Sequence, residues 1–233
     1  NSEYVSETVT VEDSFGAKAK TIAQVKRSLF KNEFKLTDFS FSDNSIVSSS
    51  EKKEISVWKN ILIVGDRGAQ VNGISRAGAI YIYEKDLATN QWNKKQSLIS
   101  LTPTSDGEFG ASVSLFNGLL VIGAPGESVP GKNISKIGVA YFYPIKNYTE
   151  YLMDPTSLKR IISDGDSSEY DVDTMTNLRF GNFVKISNST IFVSSKNGSG
   201  RTSIYSLNSN IQSGKISYSL NYVKTFRAGL SPA

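Results

Sequence analysis

The chain of 233 residues contains no cysteine and no histidine. These two absences exclude a disulfide, a thiol nucleophile, an imidazole base, a Ser-His-Asp triad and the ordinary zinc, haem and iron–sulfur sites. Long apolar runs are also lacking, because the longest, 61–64 and 119–122, fall far short of the roughly 20 residues that cross a bilayer. We therefore predict no membrane insertion and little scope for side-chain catalysis.

Two neighbouring segments each contain charged residues of only one sign. Residues 161–173 carry five acidic residues and no basic one, whereas 174–233 carry seven basic residues and no acidic one. A basic segment can attract anions. The basic residues here are scattered, however, without the aromatic and basic interleaving of a nucleic-acid surface. We interpret them as solubilising charges and predict no nucleic-acid partner.

What the sequence does contain is an internal repeat. The segments 51–65, 109–123 and 180–194 each run 14 positions through a turn into an apolar run. The second and third begin with Phe-Gly, while the first has Glu51-Lys52 instead. Equivalent positions in the three segments, 65, 123 and 194, lie 58 and 71 residues apart. Repeats of several tens of residues are typical of architectures built from stacked supersecondary units.

The repeat also predicts the fold class. Its units contain short extended segments separated by tight turns such as Asn117-Gly118, which is typical of up-and-down antiparallel strands. The second segment is almost wholly aliphatic, as in a strand covered on both faces, and the fourth is the most polar, as at an exposed edge. We predict an all-β fold, a β-propeller of four-stranded blades over 51–108, 109–179 and 180–233. Three clear blades would form a partial or small propeller, because closed propellers typically need four or more.

Residues 1–50 give weaker signals. The segments 21–30 and 34–41 fit a hairpin around residues 31–33, which would make 1–50 a degenerate fourth blade. The apolar spacing in the first of these segments also fits a helix, and so short a stretch does not decide between the two. We favour the hairpin.

The motif residues resemble a known repeat. Phe109-Gly110, Gly123-Ala124-Pro125 and the segment 138–143 (Gly-Val-Ala-Tyr-Phe-Tyr) are similar to the FG-GAP repeat of integrin α-chain β-propellers and of microbial and protist surface proteins. The resemblance is good over 51–150 and partial over 151–233. It implies an extracellular or cell-surface propeller of the non-calcium branch, with a role in adhesion or protein binding.

The motif has a physical logic of its own. Glycine permits a close backbone approach or a positive φ where strands enter and leave a crowded blade centre. Phenylalanine can fill the space between adjacent blades. We assign a structural role to Phe109, Gly110, Gly123, Ala124, Pro125, Phe180 and Gly181.

A calcium site is the one metal site left to consider. The turn 115–118 carries no carboxylate, so it cannot bind calcium as integrin-type repeats do. The acidic segment 164–173 offers hard oxygen donors, but it lacks the glycine and glutamate spacing of an EF-hand. A solvated loop is favoured, and calcium stays open as an alternative cofactor. Its candidate ligands would be Asp164, Asp166, Asp171 and Asp173.

Two long polar loops carry the leading hypothesis for function. The loops 67–75 and 126–136 follow the Gly-Ala-Pro position and are rich in glycine, as binding loops often are. They suggest a non-catalytic surface or secreted propeller that binds a protein or glycan. The alternative is a structural propeller segment completed by another chain or by the rest of its precursor. The candidate contact residues are Arg67, Asn72, Arg76, Glu127 and Lys132.

An enzyme is the least favoured hypothesis. Without histidine and cysteine, a pair of carboxylates for glycoside hydrolysis is the main catalytic option. Glu108 and Glu127 are loop acids without an evident partner, and no sialidase-type Ser-x-Asp-x-Gly-x-x-Trp box occurs. We therefore predict that the chain is not an enzyme.

Overall fold

The computed structural model describes residues 46–128, 136–144, 159–161, 177–196, 200–212 and 215–226, together with the backbone of 4–12 and 18–26. The chain divides into two compact units, 1–40 and 41–233. Every regular element in the described residues is a strand, which confirms the all-β class.

The first unit contains a two-stranded antiparallel ladder. Strand β1 (Tyr4–Glu12) pairs with β2 (Lys18–Lys26), so that Tyr4 lies opposite Lys26. Residues 21–26 are thus extended, as the hairpin interpretation predicts, and not helical. Their partner is the preceding segment 4–12, whereas the expected partner 34–41 lies outside the described residues.

The second unit contains three four-stranded antiparallel sheets, and each of the three repeat units of the sequence supplies one of them. In each sheet the strands follow one another in chain order, as in a meander. A separate two-stranded ladder pairs β3 (Ile46–Val47) with β6 (Gln70–Val71). Sheet A consists of β4 (Glu54–Trp58), β5 (Ile61–Asp66), β7 (Ala79–Lys85) and β8 (Trp92–Ile99). Sheet B consists of β9 (Ser112–Phe116), β10 (Leu119–Ala124), β11 (Val139–Pro144) and β12 (Lys159–Ile161). Sheet C consists of β13 (Phe180–Ser187), β14 (Thr190–Ser195), β15 (Thr202–Gln212) and β16 (Lys215–Phe226).

Burial along the second strand distinguishes the three sheets. All six residues of β5 and all six of β10 are buried, so both sides of these two strands are covered. In sheet A this cover does not extend to β4, where Ile55 and Val57 are more than half exposed. In β14, burial alternates between buried and half-buried residues, so the described residues cover only one face of sheet C. The covered face belongs to one apolar core that includes Ile122 of sheet B and Val193 of sheet C.

The sheets approach most closely at pairs of glycines. A methyl group on Gly123 would overlap the carbonyl oxygen of Gly181, and one on Gly65 would overlap that of Gly110. Gly110 and Gly181 have φ values of +86° and +85°, a conformation that favours glycine. A glycine at the end of one sheet therefore packs on the Phe-Gly glycine of the next sheet.

Aromatic side chains fill the space around these glycines. Phe109 and Phe180 are buried, and each pairs in a parallel bridge with the glycine that precedes the third strand of the previous sheet, Gly78 or Gly138. The Phe109 ring packs edge-on against Tyr141, with ring centroids 5.3 Å apart. Ala124 and Pro125 of the same motif are buried as well.

Serine hydroxyls join the first strands of neighbouring sheets. The amide of Leu115 in β9 donates to Ser56 Oγ in β4 over 2.9 Å. The amide of Ile186 in β13 donates to Ser114 Oγ in β9 over 3.1 Å. These two bonds occupy equivalent positions in the repeat, so sheets A and B dock as sheets B and C do.

The glycine pairs give a stability prediction. Gly123→Ala should destabilise the protein by about 3 kcal/mol or more, the upper end of the usual cost of overpacking, because its methyl group meets a backbone carbonyl that cannot rotate away. Urea unfolding followed by tryptophan fluorescence measures the loss.

A matched control uses a glycine in open space. A methyl group on Gly73 would meet no atom within 4 Å, and only its φ of +81° opposes substitution. Gly73→Ala should therefore cost only about 1–2 kcal/mol. Equal losses for the two variants would contradict the close packing at Gly123.

Candidate functional site: the Glu108 cluster and its loops

The loops of sheets A and B lie at one end of the sheets. There they meet the lead-in segments of sheets B and C, residues 106–110 and 177–181. Phe109 N donates to Ala77 O over 2.9 Å, and Phe180 N donates to Ile137 O over 2.9 Å. Gly126 N donates to Gly107 O over 3.1 Å. The first two bonds fix a loop to the segment that leads into the next sheet, and the third fixes the loop after β10 to the segment that leads into its own sheet B.

Glu108 lies at the centre of this end and receives three arginines. Its side chain is only 6% exposed. Arg67 Nη2 lies 2.7 Å and Arg76 Nη2 2.9 Å from Glu108 Oε1, and Arg179 binds Oε2. Because Arg67 and Arg76 come from loops of sheet A and Arg179 from the segment before sheet C, one carboxylate connects the loops of sheet A with the segments that lead into sheets B and C.

Further charges of both signs surround these arginines. Arg76 Nε lies 3.1 Å from Asp106, and Lys136 Nζ lies 3.6 Å from the same carboxylate. Glu51 also contacts Arg67 and Arg76. We call Glu51, Arg67, Arg76, Asp106, Glu108, Lys136 and Arg179 the Glu108 cluster. Its acidic and basic members alternate in space and largely neutralise one another.

The arginines decide the ionisation of Glu108. Burial acts to raise the pKa of Glu108, but the hydrogen bond from Arg67 and the charges of Arg179 and Arg67 outweigh it. The pKa therefore lies below its ordinary value of 4.5, and the group is ionised at neutral pH. A carboxylate held in this state is suited to binding cations and not to donating a proton.

The lead-in segments share an unusual backbone. Asp106, Glu108 and Gly110 alternate with ordinary residues and all have positive φ, as do Asn177, Arg179 and Gly181 at the equivalent positions of the next repeat. Non-glycine residues adopt this conformation at a cost, so it persists only where contacts hold it. Here the ion pairs and the backbone bonds to the loops hold Glu108 and Arg179.

Glu127 is buried, whereas the sequence predicted it as an exposed contact residue. Its side chain is buried, with the residue 1% exposed. Tyr141 Oη donates to Oε1 over 2.5 Å, Thr102 Oγ1 donates to Oε1 over 2.9 Å and Ser100 Oγ donates to Oε2 over 2.8 Å. The carboxylate thus fixes the loop after β10 to the connection between sheets A and B, and it does not lie at the surface.

Asp66 has a comparable role in sheet A, where the Phe-Gly pair is missing. It is fully buried and accepts hydrogen bonds from the hydroxyl of Ser48 and from the amide and hydroxyl of Ser49. Lys53 Nζ lies 2.9 Å from Asp66 Oδ2. A buried ion pair with added hydrogen bonds therefore anchors the segment before β4.

The remaining candidate residues have different outcomes. Asn72 is exposed at the tip of the loop between β5 and β7, with a φ of +50°. Lys132 and the four candidate calcium ligands Asp164, Asp166, Asp171 and Asp173 lie outside the described residues. Within the described part of the chain, no group of three or more acidic side chains is placed to hold a metal ion.

A second polar surface lies at the opposite end of sheet A. An open depression of about 310 Å³ is bordered by Asn60, Glu84, Asp86 and Lys95 among others. Asn60 Nδ2 donates to Glu84 Oε1 over 3.2 Å, and Lys95 Nζ lies 3.3 Å from Glu84. The backbone amides of 88–89 lower the pKa of Asp86. These groups bind one another and form no catalytic arrangement.

Comparison with protein-family models and with curated proteins gave no match. The described residues include no helix with the length and hydrophobicity that a membrane crossing requires.

The sequence singled out Arg67 and Arg76, but it gave Glu108 no evident partner and did not single out Arg179. Arg67 and Arg76 were expected to contact a partner, whereas about two thirds of each side chain is covered within the Glu108 cluster. Arg179 lies 71 positions from Glu108, so local spacing gave no sign of the pair. The available signal was the repeat itself, which aligns Arg179 with Glu108 directly before Phe-Gly.

The Glu108 cluster gives a second stability prediction. Glu108→Gln keeps the side-chain shape but leaves three guanidinium groups without their shared carboxylate. The free energy of unfolding should fall by on the order of 3 kcal/mol, as when a buried ion pair loses one partner. Glu54→Gln is the control, because Glu54 is 40% exposed and pairs only with Lys52 at the surface, so less than about 1 kcal/mol is expected. Similar losses in the two variants would contradict a central role for Glu108.

The pH dependence of the same variant follows from the lowered pKa. Because the pKa of Glu108 is lower in the folded protein, its stabilisation is complete above about pH 4.5 and is lost as the pH falls through the folded value. The urea midpoints of the wild type and Glu108→Gln should therefore differ most near pH 7 and converge as the pH falls through and below the folded pKa. A difference that stays constant over this range would contradict the assignment.

Proposed function

We propose that this chain is a non-catalytic β-propeller module of a surface or secreted protein, which binds a protein or glycan through its loops. One observation carries the proposal: three consecutive four-stranded meanders dock on each other through the same glycine and serine contacts. Repeated docking of such meanders is what a propeller architecture requires. The resemblance to FG-GAP repeats supports the same proposal.

The loop end of the sheets supports a role in binding. The charged side chains of the Glu108 cluster are paired with one another and hold the loops rigid. Above them, the loop between β5 and β7 presents Gln70, Asn72, Gly73 and Ser75 to solvent. Polar side chains on a rigid loop lose little entropy on binding and can form hydrogen bonds with a protein or a glycan.

A structural role is the second candidate. The observation that favours it is the face of sheet C that the described residues leave uncovered, where Phe183 is 53% and Phe226 is 51% exposed. Exposed aromatic side chains on a sheet face are typical of an interface. On this proposal another chain, or the rest of a precursor, covers the face inside an assembly.

Binding through the loop is tested with a double variant. The wild type is screened on a glycan array and against extracellular protein ectodomains, and each ligand found is titrated against Asn72→Ala/Ser75→Ala. We expect at least a tenfold weaker affinity and only a small fall in the melting temperature, because both side chains are exposed and only the positive φ of Asn72 disfavours alanine.

The control is Asn208→Ala/Ser209→Ala, which removes the same side-chain types from exposed positions in β15. This variant should bind like the wild type. Unchanged affinity of the loop variant would contradict binding through the loop, and turnover of an arrayed glycan would contradict a non-catalytic module.

A further inference from the structure

Sheet C has one face that no described residue covers, which we call the outer face. Strand pairing places Lys185, Phe192, Ile204 and Lys224 side by side in a row across all four strands. Both lysines are exposed, and Phe192 and Ile204 between them are half-buried. Two apolar side chains thus lie between two cations. The neighbouring row consists of Phe183, Ser194, Thr202 and Phe226.

The outer face lacks what the equivalent face of sheet B uses to receive sheet C. Ser194 stands where sheet B has Gly123, and its Cβ would overlap the backbone of an incoming unit as a methyl group on Gly123 would. The acceptor hydroxyls of Ser112 and Ser114, which bind the amides of the next sheet, are replaced too. Their positions hold Phe183 and Lys185. A further unit of the same kind therefore cannot dock here in the geometry of the repeat.

A second copy of sheet C is also a poor partner for this face. Residues 177–226 include six basic residues and no acidic one. In the described part of the chain, neither Lys185 nor Lys224 forms an ion pair, and Lys224 lies over the Phe226 ring at 4.9 Å. Two outer faces brought together would place uncompensated like charges at a partly desolvated surface, which opposes association.

We infer that the outer face of sheet C binds an extended, acidic protein segment in which an apolar side chain lies between two carboxylates. Lys185 and Lys224 lie on strands three spacings apart, roughly 14 Å at about 4.8 Å per strand. In an extended chain, residues i and i+4 lie roughly 13 Å apart on one face, with i+2 between them. Acidic residues four positions apart can thus reach both lysines while the apolar residue covers Phe192 and Ile204.

This inference does not depend on the proposed function of the loops, which lie at another part of the molecule. It continues the way in which the described sheets already use their faces, since the second strands of sheets A and B are buried on both sides. The charge of the face selects the partner, and its apolar centre supplies the buried area.

The test uses a synthetic probe and the whole chain. A cyclic hairpin peptide presents Asp-Thr-Phe-Thr-Asp on one strand and is titrated into the isotope-labelled protein, with amide chemical shifts as the readout. We expect shifts confined to the outer face, around Lys185, Phe192, Ile204 and Lys224. The variant Lys185→Glu/Lys224→Glu should bind at least tenfold more weakly, while its remaining spectrum and melting temperature show that it is folded.

A control peptide and two further measurements separate the alternatives. A peptide with lysines in place of both aspartates should not bind. Equal binding of this peptide, shifts spread over other surfaces, or no binding of the acidic peptide at millimolar concentration would each overturn the inference. Stronger binding to phosphatidylserine vesicles than to the peptide, or concentration-dependent self-association through this face, would replace it with a membrane or a second copy.

Discussion

The close approach of backbones at the glycine pairs is the constraint on which the rest of the structure depends. Gly65 against Gly110 and Gly123 against Gly181 bring consecutive sheets close enough for serine hydroxyls to accept amide hydrogens from the next sheet. Any side chain larger than hydrogen at these positions would push the sheets apart. The buried aromatic residues beside them could then no longer fill the space between the sheets.

Charge reinforces this packing at the loop end. The glycine pairs position the lead-in segments, and the positive φ values of those segments hold Glu108 and Arg179 where their ion pairs form. A single carboxylate then links loops of sheet A to the start of sheet C. The charged side chains of these loops pair with one another in the Glu108 cluster. Neutral polar side chains such as Asn72 are left exposed to solvent. The same arrangement that stabilises the fold therefore determines which side chains are exposed at the loop end.

Local signals in the sequence predicted the strands well and the site less well. The aliphatic runs and the Asn117-Gly118 turn act over a few residues, and the strands they predicted are present in sheets A and B. Burial of Glu127 depends on Ser100 and Thr102, which lie 27 and 25 positions earlier in another loop. Glycine-rich loop composition could not reveal these partners, because a loop that folds back onto hydroxyl groups looks the same in sequence as one that extends into solvent.

Departures from the repeat were as informative as its matches. In the structure, Ser194 and Lys185 lie on the outer face of sheet C at the positions where sheet B has Gly123 and Ser114. The most direct test of this account is native-state hydrogen exchange of three equivalent amides, those of Val57, Leu115 and Ile186. Leu115 and Ile186 donate to serines of the preceding sheet and should exchange slowly, while Val57, on a residue 54% exposed with no described acceptor of that kind, should exchange fast. Equally fast exchange at all three amides would contradict the docking of the sheets described above.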